Sequence, residues 1–112
     1  MSMTNRKYGK TFIREWREYR GLSLRRLADR LELNGPDETI SHASIGRIEN
    51  GQQPYSQPVL EAIASSLNVS VTDLLGVDPT KEGEVVDLMR MINDKNRAQA
   101  IRVLKALTGT DG

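Results

Sequence analysis

Residues 22–51, LSLRRLADRLELNGPDETISHASIGRIENG, decide how the rest of the chain is read. Leu22-Ser23 announces a helix. The Ser23 hydroxyl can accept from the orphan N–H groups of a first turn, and Leu22 can close over Leu27 as a hydrophobic staple. Leu24, Leu27, Ala28 and Leu31 then recur as one apolar stripe at helical spacing. Ile40-Ser41 repeats the device with Ile45 four residues beyond the cap, so a second helix is expected over about 41–50 with Ile45 and Ile48 facing inward. At 100° per residue His42, Ala43, Gly46, Arg47 and Asn50 share the opposite side, which is short, polar and nearly flat.

The cap and staple recur downstream. Ser56 follows Tyr55 and faces Leu60, with Leu60, Ile63, Ala64 and Leu67 as the buried side; Ser70 follows Val69 and faces Leu74. Upstream, a helix over roughly Thr11 to Arg20 carries Phe12, Ile13 and Trp16 on one side, with Gly21 as its left-handed terminator. Trp16, the single tryptophan, reads as core ahead of a recognition role. Agreement of cap, staple and stripe at four helix starts argues for a compact five-helix, all-α domain over 11–76.

In Gly21-Leu22-Ser23-Leu24, Leu27-Ala28, Ile45 and Ile48-Glu49-Asn50-Gly51, taken in order, the chain resembles the Cro-like (xenobiotic-response-element type) helix-turn-helix family of phage repressors and bacterial regulators, over roughly Phe12 to Gly76. The resemblance implies a Cro/repressor-like helix-turn-helix domain that binds double-stranded DNA. It places base readout on His42, Ala43, Ser44 and Arg47, and it pairs Arg17 with Glu49 as a largely buried structural ion pair. Arg47 is the natural reader of a guanine through a bidentate fork, Ala43 of a thymine methyl, and His42 of a base edge or a phosphate. Helix starts and loops supply phosphate anchors: Ser23 and Leu24 with Arg25 and Arg26 behind them, Asn50, and Gln52, Gln53 and Tyr55 of the following loop. Gly46 either gives the helix a smooth surface for close approach to the duplex or is simple drift at an exposed position.

Between Leu31 and Ser41 the chain departs from this family, whose turn there is three or four residues long. The insertion at about 33–39 is some seven residues longer, and Asn34-Gly35-Pro36 is strong turn chemistry that would bulge it outward. Alternatively Pro36, Asp37 and Glu38 open an extra helical turn.

The net charge is only +1, yet residues 1–30 hold nine Lys/Arg against three Asp/Glu, while residues 51–80 hold no basic residue and the acids Glu61, Asp73 and Asp78. Such asymmetry is either a solvated face or a footprint for a polyanion. Residues 1–10 read as a flexible basic arm bearing Arg6, Lys7 and Lys10, which adds phosphate contacts or is a frayed terminus. No cysteine and a single histidine, His42, leave no thiol chemistry, no ligand spacing for a metal and no nucleophile–histidine pair; no catalytic residue, cofactor or metal is expected, and the chain reads as a non-enzyme. No apolar run is long enough for a membrane and no signal peptide is visible, so a cytoplasmic protein is the default.

After a linker at 77–83, the apolar pattern resumes over 84–108 through Val85, Val86, Leu88, Met89 and Ile92, and then, beyond an Asp94 cap, through Ala98, Ile101, Leu104 and Leu107. This short C-terminal helical hairpin either packs on its own domain or forms a dimer interface, the latter favoured because two short helices bury little alone. The expected function is a homodimeric repressor on a palindromic operator. The alternatives are an antitoxin whose tail grips a toxin, or a protein-interaction adaptor that no longer binds DNA.

Overall fold

The computed structural model describes residues 7–31, 33, 39–92 and 96–109. Among them the chain is all helical: α1 (Ile13–Tyr19), α2 (Leu24–Arg30), α3 (His42–Glu49), α4 (Gln57–Ser66), α5 (Val71–Gly76), α6 (Pro79–Arg90) and α7 (Arg97–Thr108). Each of α2 to α5 begins on a serine whose Oγ accepts the backbone N–H three residues on: Ser23 from Arg26, Ser41 from Ser44, Ser56 from Val59 and Ser70 from Asp73.

Three helix ends close alike, while α2 and α5 end on the extended residues Leu31 and Val77. After α1, Gly21 at φ 73° lets its own N–H reach Glu18 O and the Leu22 N–H reach Arg17 O. After α3, Gly51 at φ 71° lets its N–H reach Ile48 O and the Gln52 N–H reach Arg47 O. These are Schellman closures, each satisfying two carbonyls that the helix leaves orphaned. Asn68, at φ 56°, closes α4 in the same way, its own N–H on Ser65 O and that of Val69 on Ala64 O.

Each of the first five helices sends a fully buried side chain to one core: Ile13 and Trp16 from α1, Leu27 from α2, Ile45 from α3, Ile63 from α4 and Leu74 from α5. Helix α2 packs on α3 and α4, and α5 on α1 and α4. The structure starts α1 at Ile13, two residues later than its pattern suggests, with Phe12 at the cap position and its N–H on Leu74 O of α5, 2.9 Å away.

The largest departure from the sequence reading lies at 77–83. Most of that expected linker is the first half of α6: Asp78 caps it by accepting from the Thr80 N–H, and Pro79 stands at the first helical position, where a missing N–H costs nothing. Helix α6 lies against α1. The Trp16 indole N–H donates to both Asp73 O (3.1 Å) and Val77 O (3.0 Å), tying the α5–α6 junction to the core. Gly83 is buried under the Tyr19 ring, and Arg20 reaches Asp87. The first tail helix thus belongs to the helical domain, and α7 alone buries none of its residues.

Leu33 is half-buried; the turn and extra-helix readings of Asn34 to Glu38, and the Asp94 cap, fall outside the described residues. At the start of α7, Asn96 occupies the cap position without a side-chain cap bond. No helix among the described residues is long and apolar enough to cross a membrane.

Candidate nucleic-acid interface

The site is built on α3 and on what pins it. Ile45, Ile48 and Glu49 are buried while His42, Ala43 and Arg47 are exposed, so the helix is divided lengthwise as its periodicity requires. The inner side is locked by charge as well as by packing. Arg17 Nε and Nη2 donate to the two Glu49 carboxylate oxygens at 2.7 and 3.1 Å, and Nη1 donates to Leu22 O at 2.8 Å. The side chains are 11% and 4% exposed, so this bidentate fork ties α1, the start of the α1–α2 connection and the end of α3 within the domain. The Glu49 hydrogen bond holds the Arg17 pKa above its ordinary value.

On the outer side, Arg47 does not extend freely. Its Nε donates to Gln53 Oε1 at 2.9 Å and its Nη2 to Ser44 Oγ at 3.0 Å, while the Ser44 hydroxyl also meets Ser41 Oγ at 3.2 Å. The structure therefore brings together three of the residues singled out from sequence, Ser44, Arg47 and Gln53, with Gln53 on an arginine rather than standing apart in its loop. Arg25 and Arg26 are exposed on the first turn of α2; Asn50 and Gln52 are exposed at the end of α3. Ser23 is exposed and occupied as a cap, and Leu24 turns its side chain toward α3, leaving its backbone as what it can offer at the helix start.

Gly46 has a different setting from the one its helical position suggests. A Cβ placed on it would lie 3.5 Å from Leu24 Cδ1, in the angle between α2 and α3, so the space it leaves belongs to helix packing and not to the outer surface. That is an ordinary van der Waals separation.

The basic arm also departs from expectation. The Lys7 and Tyr8 N–H groups both donate to Gly51 O, at 2.9 and 3.2 Å, fastening the arm to the closure of α3 from Lys7 onward. Tyr8 and Tyr55, both substantially exposed, line a shallow pocket of about 320 Å³ with Lys10 and Pro54. Sequence reasoning missed this anchor because it joins residues more than forty apart through backbone atoms, which no side-chain pattern records. Among the described residues no cluster of three or more His, Asp or Glu side chains could hold a metal.

Two successive capped helices, the second offering a polar face while an ion pair secures its back, define a helix-turn-helix protein. A family model described as a helix-turn-helix domain matches residues 11–85, and the chain belongs to that family. The match runs into α6, in keeping with the packing of that helix on α1. Neither the curated proteins nor the solved structures contain a match to it.

Proposed function

We propose that this chain is a sequence-specific regulator of transcription that binds double-stranded DNA as a homodimer and represses, reading the major groove with α3. The observation that carries the reading is the lengthwise division of α3: Ile45, Ile48 and Glu49 are held in the domain, and His42, Ala43 and Arg47 are exposed. The major groove admits a helix presented in this way, and each base pair shows it a distinct pattern. Arg47 addresses a guanine, Ala43 a thymine methyl, and His42 and Ser44 neighbouring base edges. Exposed Arg25 and Arg26, with Asn50, Gln52 and Tyr55, meet phosphates on either side.

The tail supports the dimer. Ile101, Val103 and Leu107 of α7 and Val85, Leu88 and Met89 of α6 are all exposed, and the two helices line an apolar groove of about 450 Å³. A second copy laying its own pair of helices against this face covers both, and a two-fold axis there sets two recognition helices about 34 Å apart, one DNA turn, on a palindromic operator.

The test is retention on duplex DNA across a salt series, then competition among sequences selected from a random pool. Retention falls steeply with salt because cationic side chains release condensed counterions. Arg47→Ala weakens the selected site by about 1–3 kcal/mol and relaxes one base position per half-site. Arg25→Ala weakens all sequences alike. Retention unchanged between low and moderate salt rejects the DNA assignment.

A further inference from the structure

Arg47 carries a long, rotamer-rich side chain on an exposed face, yet its guanidinium is held from two directions. Gln53 Oε1 accepts from Nε at 2.9 Å and Ser44 Oγ from Nη2 at 3.0 Å. The hold from Gln53 is itself anchored, since the Gln52 and Gln53 N–H groups donate to Arg47 O at 2.9 and 3.3 Å. The loop that grips the side chain is therefore bonded through its backbone to the same residue, and Gly51 at φ 71° makes the turn that brings it back. Backbone and side chain of Arg47 are thus both bonded to residues 52–53.

We propose that Gln53 is a positioning residue that fixes the orientation of the Arg47 guanidinium and thereby sets which base position Arg47 addresses; this rests on the major-groove reading given above. Two of the five guanidinium donors are engaged by Ser44 and Gln53, and three remain, more than the two that a guanine O6 and N7 accept. A free arginine must surrender much of its rotamer freedom to make that fork. One already clamped at Nε loses less, and it points at one base step rather than sweeping across several. Ser44 Oγ, steadied by Ser41, forms the second wall of the clamp. In this arrangement Gln53 acts through Arg47, and the phosphate role suggested by its loop position is not the one its amide oxygen performs.

The experiment has two parts, both on the full chain. In the free protein, NMR follows solvent exchange of the Arg47 Nε–H: it is slowed in wild type and fast in Gln53→Ala, while the thermal melt stays the same because the Gln53 side chain lies outside the core. On DNA, Gln53→Ala binds the selected operator about fivefold more weakly, the scale of one net hydrogen bond. It loses preference only at the base position that Arg47→Ala also relaxes, keeps the wild-type salt slope, and has no further effect in the Arg47→Ala background. Gln53→Glu, which keeps an acceptor for Nε, retains that base preference although its charge lowers affinity for every duplex. The proposal is overturned by an Nε–H that exchanges equally fast with and without Gln53. It is equally overturned by a sequence-independent loss with a salt slope shallower by about one, which would make Gln53 a phosphate contact. A wild type that retains no duplex overturns the DNA reading and this inference together, whereas retention with a position-independent loss overturns this inference alone.

Discussion

Arg20 and Asp87 meet in a two-bond fork, Nη1 to Oδ2 and Nη2 to Oδ1 at 2.8 Å each, across 67 residues of sequence. The Arg20 Nε donates to Leu67 O at 2.7 Å, and the guanidinium lies over the Trp16 and Tyr19 rings, 5.2 and 5.5 Å from their centroids. One side chain thus joins α1, the end of α4 and α6. Because α6 also lines the apolar groove of the tail, this fork is one of the contacts that join the helix-turn-helix body to the proposed dimer face, beside Gly83 under Tyr19.

The fork makes acid stability depend on Asp87. The Arg20 hydrogen bonds hold the Asp87 carboxyl below its ordinary value. A carboxyl lowered in the folded state stabilises the fold fully above the unfolded aspartate pKa of about 3.9, and that contribution is lost as pH falls through the lower folded value. Asp87→Asn therefore lowers stability near neutral pH by about 1 kcal/mol, the upper end for a partly exposed pair. The gap between variant and wild type closes in melts taken below the ordinary aspartate range; a gap that does not change with acid would contradict the link.

Breaking the inner pair is more severe. Arg17→Met takes the guanidinium away from the Glu49 carboxylate, which is 4% exposed, and Glu49→Gln leaves the buried Arg17 charge without its counter-charge. Either costs about 3–5 kcal/mol. Chemical denaturation of both variants checks this, and a loss below about 1 kcal/mol, the scale of an exposed pair, would place the pair in effect at the surface.

Gly46→Ala separates packing from DNA approach. Its Cβ makes an ordinary contact with Leu24, so the helix gains about 1 kcal/mol of propensity without a clash. Stability rises and affinity for the selected duplex stays at the wild-type value. A large loss of affinity would return Gly46 to the DNA-facing surface.

At Gly83 the same substitution has the opposite sign. A Cβ there would lie 2.7 Å from Tyr19 Cζ, so the ring, which packs edge-on against Trp16, must shift to make room. Gly83→Ala destabilises by about 1–3 kcal/mol, as overpacking does. In a Tyr19→Ala background it instead stabilises by about 1 kcal/mol through helix propensity. A double-mutant cycle by thermal melts reads the change of sign.

Truncation distinguishes the two tail helices. Ending the chain after Ile92 removes α7, none of whose residues is buried, and leaves a folded monomer. Ending it after Pro79 also removes Gly83 and Asp87 and destabilises the body. Sedimentation at tens of micromolar, a concentration chosen to the order of magnitude, shows a dimer for the full chain and a monomer for the first truncation. The monomer loses far more affinity for a palindrome than for a half-site, because the second half no longer binds as a tethered partner. A full-length monomer at that concentration removes the dimer from the proposal.

Much of the helical domain was legible in the residues because its determinants are local. Ser23, Ser41, Ser56 and Ser70 each bond three residues ahead, and Gly21 and Gly51 terminate helices through their own φ, so short windows contain both the signal and its physical cause. The buried stripe of Leu27, Ile45, Ile63 and Leu74 follows from helical period alone. The tertiary structure decided everything that depends on which helices become neighbours. Pro79 to Gly83 read as a linker because a glycine and a short polar run carry no apolar period; the Asp78 cap and Pro79 start a helix there locally, and the tertiary structure holds it because Gly83 fits under Tyr19 while Asp87 finds Arg20. The arm from Lys7 is fixed by a carbonyl that Gly51 exposes, and Gln53 faces Arg47 because the closure of α3 turns the loop back on its own helix. These contacts have no energy in the isolated segment, so no local pattern announces them, and they exist only once the core has set α1, α3 and α6 in place.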